Sequence, residues 1–303
     1  MKIAVIGAGA MGSIYGGKLS KTNEVYLVVR KQPVADEINT NGVIIDENGE
    51  SNVYHPHAVI DSREVGYVDL VILFVKATTS ESALAGNTAL IGPETRLMTL
   101  QNGAGHEDIL GKFAAENRIV IGTTEDNGAV ISPNHVRRGG VGNTNVGTVV
   151  PDDKGFLPKL KDAFDSCGFN VKIHENIQYL IWDKLFTNVS LSAVTGILQV
   201  DMGYIAGNAY AWEMTKALIH EAIVTAKAAG MDFDEEEITQ RVKNTSLNNP
   251  NGCTSIRADL RDGRKTEVNT ISGAVVRAAA KYGVDVPSHK FVVNMVHAME
   301  ERA

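Results

Sequence analysis

Met1–Gly12 reads MKIAVIGAGAMG, and its reading decides the architecture of the first half of the chain. Ile3, Ala4, Val5 and Ile6 form an apolar run of the length of one buried parallel strand. Gly7, Gly9 and Gly12 follow in G-x-G-x-x-G spacing, with Ala8, Ala10 and Met11 between them, and Ser13–Leu19 is compatible with a helix. In a strand–turn–helix setting each glycine has a physical task. Gly7 permits the tight turn, Gly9 removes a side chain where a pyrophosphate approaches the backbone, and Gly12 lets the helix lie close to the sheet. The free N–H groups and positive dipole end of the helix then face the anion. Residues Gly7–Gly12 are therefore expected to bind a dinucleotide pyrophosphate. With 29 glycines in 303 residues, the flanking strand and helix carry this reading more than the glycines do. Lys18 and the interspersed glycines interrupt the apolar residues before Lys21, so no signal peptide is expected.

Val25–Val29 (VYLVV) reads as the second strand, with Arg30 and Lys31 at its end. An acidic residue there would hydrogen-bond the adenosine 2′-hydroxyl of NAD, whereas two cations suit the 2′-phosphate of NADP. Arg30 thus predicts NADP. Gly42–Asp61 reads as short strands about an Asn48-Gly49 turn. Val68–Val75 (VDLVILFV) is the clearest buried strand and ends at Lys76; Leu97–Leu100 ends at Gln101-Asn102-Gly103, and Arg118–Gly122 is another strand. Strands alternating with helix-like stretches predict an α/β fold, a Rossmann-type doubly wound sheet with right-handed crossovers. Ligands of such sheets gather at carboxyl ends of strands, where Lys76 and Asn102 stand. Asn127–Val150, rich in glycine, reads as an antiparallel margin of the same sheet. Phe156–Cys167 reads as a helix and Asn170–Ile173 as the last strand. A change of pattern near Glu175 divides residues 1–175, the nucleotide-binding domain, from an all-α C-terminal domain, 176–303.

A chain of 303 residues that is 44% hydrophobic and 21% charged has ample material for two cores. No apolar run approaches the roughly 20 residues that cross a bilayer. A net charge of -7 disfavours nucleic acid as a partner. It leaves room for an anionic small substrate, since a few local cations dominate one site. Two cysteines, Cys167 and Cys253, make no disulfide framework, so a cytoplasmic location is expected. The eight histidines show no metal-ligand set; His55 and His57, beside Pro56, read as loop or edge strand.

In the second half, Ile177–Ser192 carries Leu180, Ile181, Leu185 and Val189 at helical spacing. Asn208–Ala229 is a longer helix stopped by Gly230, and Asp234–Asn244 begins with acidic residues that suit a helix start. Glu267–Tyr282 reads as a helix closed by Gly283, and Pro287 precedes a final one. On the first of these helices, Lys184, Asn188 and Ser192 are four residues apart and form a polar stripe. The stretch SIRADLRDGRKTEVN, holding Ser255, Asp259 and Glu267, has the polarity of a surface loop. Periodicity does not separate core from interface, so a homodimer is left open.

Taken together, these motifs resemble the ketopantoate reductase family over nearly the whole chain. The matching pieces are GAGAMG, Arg30, VKA at Val75–Ala77 and QNG at Gln101–Gly103. Trp182, Lys184, Leu185 and Asn188 of WDKLFTN, the Ser255/Asp259 pair, and GRKTE at Gly263–Glu267 complete the set. The resemblance implies hydride transfer from NADPH to the ketone carbon of a small 2-oxo acid, 2-dehydropantoate, giving pantoate. It implies that Lys184 is the acid that protonates the oxygen, which an ammonium beside a carbonyl is chemically suited to do. It also implies that Glu267 binds substrate and cofactor, that Asn188 and Ser255 contact substrate, and that Lys76 and Asn102 stand beside the nicotinamide, Asn102 orienting the substrate carbonyl as well. Three departures stand out. Ser192 occupies the place of a second family asparagine, and its shorter hydroxyl changes the reach toward a substrate hydroxyl. Ile256 replaces a methionine, a volume-conserving change. Asn249, Asn251 and Cys253 do not align with the family's remaining polar substrate residue. A relative acting on another branched or aromatic 2-oxo acid is the alternative that Ser192 motivates.

Overall fold

The computed structural model describes residues 1–152 and 154–302. They form two units, one of Met1–Gln101 with His106–Gln178, the other of Asn102–Gly105 with the chain from Tyr179 onward.

The first unit has twelve strands: β1 Lys2–Ile6, β2 Glu24–Val28, β3 Val43–Glu47, β4 Glu50–Tyr54, β5 His57–Val59, β6 Leu70–Leu73, β7 Arg96–Thr99, β8 Ile119–Thr124, β9 Asn127–Ser132, β10 His135–Gly140, β11 Asn143–Thr148 and β12 Asn170–Ile173. Eight make one sheet in the order β12-β11-β8-β7-β6-β1-β2-β5. Neighbours from β8 to β5 are all parallel, and β11 is antiparallel to β8. Its central strands are buried on both faces, as their unbroken apolar runs require. The strand order reverses between β1 and β6, the topological switch point of a doubly wound sheet. Of the run Val68–Val75, Leu70–Leu73 is regular strand, with Asp69 and Phe74 still donating to the Lys2 and Ile6 carbonyls of β1, while the Val68 N–H goes to the Leu90 carbonyl. His57 lies on the edge strand.

The other four strands form a second sheet, β4-β3-β10-β9. Asn48 (φ 55) and Gly49 (φ 83) make the left-handed pair that joins β3 to β4. Asn127–Val150 is therefore not simply a margin of the main sheet: only β11 serves that role, while β9 and β10 join β3, with β10 parallel to it. The reason is the helix Ala10–Leu19, buried nearly all round and in contact with both sheets. A Cβ on Gly16 would stand 2.4 Å from Leu27 of the main sheet, and one on Gly17 would stand 3.0 Å from Ile45 of the small sheet. The glycines of this helix let a sheet approach from either side.

Charged residues buried around the same helix fix the small sheet. Lys18 and Arg138 both bind Glu47, each at 2.6 Å, and Arg138 also binds Asp126 at 2.6 Å. The Arg138 guanidinium lies 5.3 Å from the ring centre of Phe169, which stacks on Tyr15 at 4.3 Å. The Tyr15 hydroxyl bonds Thr124 and Thr144, and burial pushes its phenol well above the usual tyrosine range.

The second unit is helical. Helix Ala209–Ala228 is capped by the Asn208 side chain, which accepts from the N–H groups of Tyr210 and Ala211. Helix Glu235–Asn248 is capped by Asp234, which accepts from Glu237 N–H. Glu221 accepts from the N–H groups of Ser288 and His289 at the start of helix Pro287–Glu300. No helix among the described residues is long and apolar enough to cross a membrane.

Candidate functional site

In the first unit, the candidate residues of the glycine loop fall where β1 meets helix Ala10–Leu19. Gly7 has φ +102, and a Cβ there would stand 2.9 Å from the Val75 nitrogen, so the turn passes against the end of β6. A Cβ on Gly12 would overlap the Gly7 carbonyl oxygen at 1.8 Å. Gly9 differs from both: it is exposed, and a Cβ there would meet nothing within 4 Å. It is also the N-cap of the helix, with no side-chain cap bond. Open space over a glycine at a helix N-terminus fits a pyrophosphate on backbone N–H groups. Ala8, Ala10 and Met11 line this turn, all half-buried.

Arg30 is exposed just beyond β2, followed by Lys31 at the start of helix Gln32–Asn41. Lys76 is exposed just beyond β6, and Thr79 donates its N–H and its hydroxyl to the Lys76 carbonyl. The buried Gln101 side chain donates to the Val75 carbonyl and bonds Ser80 and Thr99. The Gln of the QNG motif thus ties the ends of β6 and β7 together, a role that shows only once the strands are paired.

Asn102 belongs with the helical unit. Its neighbour Gly103 (φ +99) passes so close to Thr270 that a Cβ would stand 2.1 Å from the Thr270 carbonyl oxygen, which accepts from Ala104 N–H at 2.9 Å. Thr270 in turn donates its N–H to the Glu267 carbonyl. The segment carrying Asn102 is therefore docked on the turn carrying Glu267.

That turn replaces the first part of an expected helix. Residues 267–271 are a turn, and the helix begins at Ser272 and runs to Tyr282. Val268 and Ile271 are fully buried, and the Asn269 carbonyl accepts from Arg277. The Asn269 side chain pairs with His297 at 3.0 Å. A β-branched residue followed by Asn and Thr, whose side chains compete for backbone groups, suits this local alternative to helix. Upstream, Thr266 is held by Glu300. The polar stretch before it is also not a loop throughout: Ser255–Arg261 is a helix, ended by Gly263 at φ +63, and Arg264 returns to Asp259 at 2.9 Å.

Lys184 and Asn188 share one helix, both half-buried. The helix is anchored by the buried Trp182, Leu185 and Phe186, with Phe186 edge-on to Phe233. The helix does not stop at Ser192. It runs as α over Ile177–Thr187, widens to a π-turn over Asn188–Ser192, and continues as α over Ala193–Leu198. Ser192 is buried rather than displayed beside Asn188, because this segment is covered by the helices Ala209–Ala228, Glu235–Asn248 and Ser255–Arg261. Ser255 itself is exposed at the first position of its helix. Within the helical unit, Asn102 and Glu267 thus lie on docked segments, and Ser255 lies on a helix that packs against the Lys184 helix.

Residues 3–151 match the family described as ketopantoate reductase PanE/ApbA, and residues 176–300 match its C-terminal part. The chain belongs to the ketopantoate reductase family. It is 30% identical over 302 residues to the 2-dehydropantoate 2-reductase of Streptococcus pyogenes serotype M6, covering 99% of this chain and 98% of that protein. It is 31% identical over 309 residues to the 2-dehydropantoate 2-reductase of Lactococcus lactis subsp. lactis, with the same coverage. A solved structure of D-mandelate dehydrogenase, bound to NADH and anilino(oxo)acetate, superposes with a TM-score of 0.89 at 31% identity, covering 100% of this chain and 99% of that one. The chain is thus an oxidoreductase of a family that also includes reductases of other 2-oxo acids.

Proposed function

We propose that the protein reduces 2-dehydropantoate to (R)-pantoate with NADPH, in the route to pantothenate and coenzyme A. The observation that carries this reading is the half-buried pair Lys184 and Asn188 on one helix, in the same unit as Ser255, Glu267 and Asn102. Gly7–Gly12 would hold the pyrophosphate, and Arg30 the 2′-phosphate of the adenosine end. Lys76 and Asn102 would flank the nicotinamide end. When bound, the reduced nicotinamide supplies the hydride that the ketone carbon accepts.

Lys184 carries the matching proton. Its ammonium polarises the ketone and then passes a proton to the oxygen as negative charge develops, so the C=O bond becomes a C–H and an O–H. Ser255, at the exposed start of its helix, donates to the substrate carboxylate. Asn188 and Glu267 bind the substrate hydroxyl, and Ser192, buried in the same helix as Asn188, replaces the second family asparagine. The site is small-molecule chemistry throughout, with no role for nucleic acid or a membrane, and the cytoplasm is its setting.

A second reading is favoured by Ser192 and by the likeness to D-mandelate dehydrogenase: reduction of a branched or aromatic 2-oxo acid, with NADH accepted. A panel of 2-dehydropantoate, 2-oxoisovalerate and phenylglyoxylate, each assayed with NADPH and NADH, separates the two. The first reading expects the highest kcat/KM with 2-dehydropantoate and NADPH. A tenfold preference (about 1.4 kcal/mol in transition-state binding) for another oxo acid overturns the substrate assignment. Equal efficiency with NADH overturns the role given to Arg30.

A further inference from the structure

The π-turn at Asn188–Ser192 is the one break in the regular ladder of the Lys184 helix, and hydroxyl groups stand at it. Ser190, fully buried, donates its hydroxyl to the Phe186 carbonyl at 2.6 Å and lies 3.2 Å from the Thr187 carbonyl. Thr195, also fully buried, donates to the Leu191 carbonyl at 2.6 Å. Its oxygen is 2.7 Å from that of Thr254, the residue that precedes Ser255. A widened turn leaves carbonyls poorly served by the backbone, and serine or threonine hydroxyls four residues on are suited to serve them.

The widening has a geometric consequence. An α-helix turns about 100° per residue, so in plain α geometry Gly196 would face about 120° away from Lys184. A π-turn absorbs one residue and cuts that offset to about 20°. Gly196 is the position on which the Ser255 helix rests: a Cβ there would stand 2.5 Å from Ile256 Cγ2. Lys184, Asn188 and Gly196 then lie along one face, and Ser255, next to Ile256, is brought to it.

We propose that the π-turn is the register device that puts Lys184 and Asn188 on the helix face carrying the Ser255 helix, and that Ser190 and Thr195 are positioning residues for the reduction. The inference rests on the roles proposed for Lys184 and Ser255. Neither hydroxyl touches substrate; each acts through the backbone that aims those that do. Loss of the Ser190 hydroxyl removes a carbonyl partner at the turn and favours its return to α geometry, which rotates the two halves against each other.

The test is steady-state kinetics of S190A on the 2-oxo acid that the wild type reduces best, beside an NADPH titration and a melting curve. The expected result is a fall in kcat/KM of between about tenfold and a hundredfold, the size of a misplacement of roughly 1 Å, with NADPH Kd unchanged. A folded S190A with wild-type kcat/KM overturns the proposal, even if its Tm is lower. If S190A does not fold, the comparison passes to Thr195→Val, which keeps the shape and loses the hydroxyl, and Thr195→Ser, which keeps the hydroxyl. Thr195→Ser is then expected to outperform Thr195→Val by about tenfold or more; equal activity overturns the proposal. A wild type that reduces no 2-oxo acid overturns the parent reading as well. A wild type that depends on Lys184 but tolerates S190A overturns the register device alone.

Discussion

Thr266 donates both its backbone N–H and its hydroxyl to the same carboxylate oxygen of Glu300, each at 2.7 Å. The other oxygen of Glu300 pairs with His297 at 3.0 Å, and the His297 ring also reaches Asn269. The C-terminal helix thus grips the chain on both sides of Glu267. Nothing in the local sequence around Glu267 signals a partner more than thirty residues away.

Glu300→Ala leaves the Thr266 N–H and hydroxyl without their acceptor. The expected cost is about 1–3 kcal/mol in denaturant unfolding, with a rise in substrate KM as the Glu267 turn loosens. Glu300→Gln keeps an acceptor oxygen for Thr266 and is expected to fall between wild type and Ala. Burial pushes the Glu300 pKa up, but the hydrogen bonds from Thr266 and His297 outweigh it and hold the carboxyl below its usual 4.5. Its stabilisation is therefore complete above that value and is lost as pH falls through it toward the lower folded pKa. Glu300→Gln is expected to flatten that part of the stability profile.

His289 sets a second pH window. It is fully buried, with Nε2 on the Leu218 carbonyl at 3.0 Å. Burial lowers its pKa from 6.5 to about 4, against smaller opposing effects of that carbonyl and of Glu221. The unfolded chain binds a proton on this histidine that the folded chain refuses between those values, so stability falls as pH drops from 6.5 toward 4. The slope from this one residue is up to about 1.4 kcal/mol per pH unit. Urea unfolding between pH 7 and pH 4 measures it, and His289→Gln is expected to reduce the slope by about one proton.

Gly9 and Gly12 are expected to fail in different ways. Gly12→Ala drives a methyl into the Gly7 carbonyl, where a Cβ would stand at 1.8 Å. It is expected to lower Tm and abolish cofactor binding together. Gly9→Ala puts its methyl into open space, so Tm is expected to hold. NADPH Kd should rise by about tenfold or more if the pyrophosphate lies over Gly9 as proposed, since the methyl would occupy that room. Calorimetry and fluorescence titration on the two variants check both outcomes.

The main sheet was legible because buried parallel strands advertise themselves as apolar runs and glycine turns punctuate them. The second sheet was not. β9 and β10 carry no apolar run that names a partner, and their pairing with β3 depends on a helix whose glycines and buried Lys18 face two sheets at once. Arg138, fully buried in that network, reads in sequence as a surface cation. In the helical unit, the helix shared by Lys184 and Asn188 was legible from its apolar spacing, but the π-turn was not. Periodicity assumes a constant turn angle, and the residues that widen the helix, Ser190 and Thr195, look like ordinary helix residues until their carbonyl partners are known. The turn at Glu267 was hidden for a related reason: its stability comes from Glu300, His297 and the docked Gly103 segment, all distant in the chain.

The most direct measurement is the single-turnover and steady-state rate of Lys184→Ala with NADPH and 2-dehydropantoate. Removal of a general acid that acts in the transition state is expected to lower kcat by about 10²–10⁴-fold while NADPH Kd stays near the wild-type value. A fall of less than about tenfold in a folded variant would contradict the assignment of Lys184 as the proton donor.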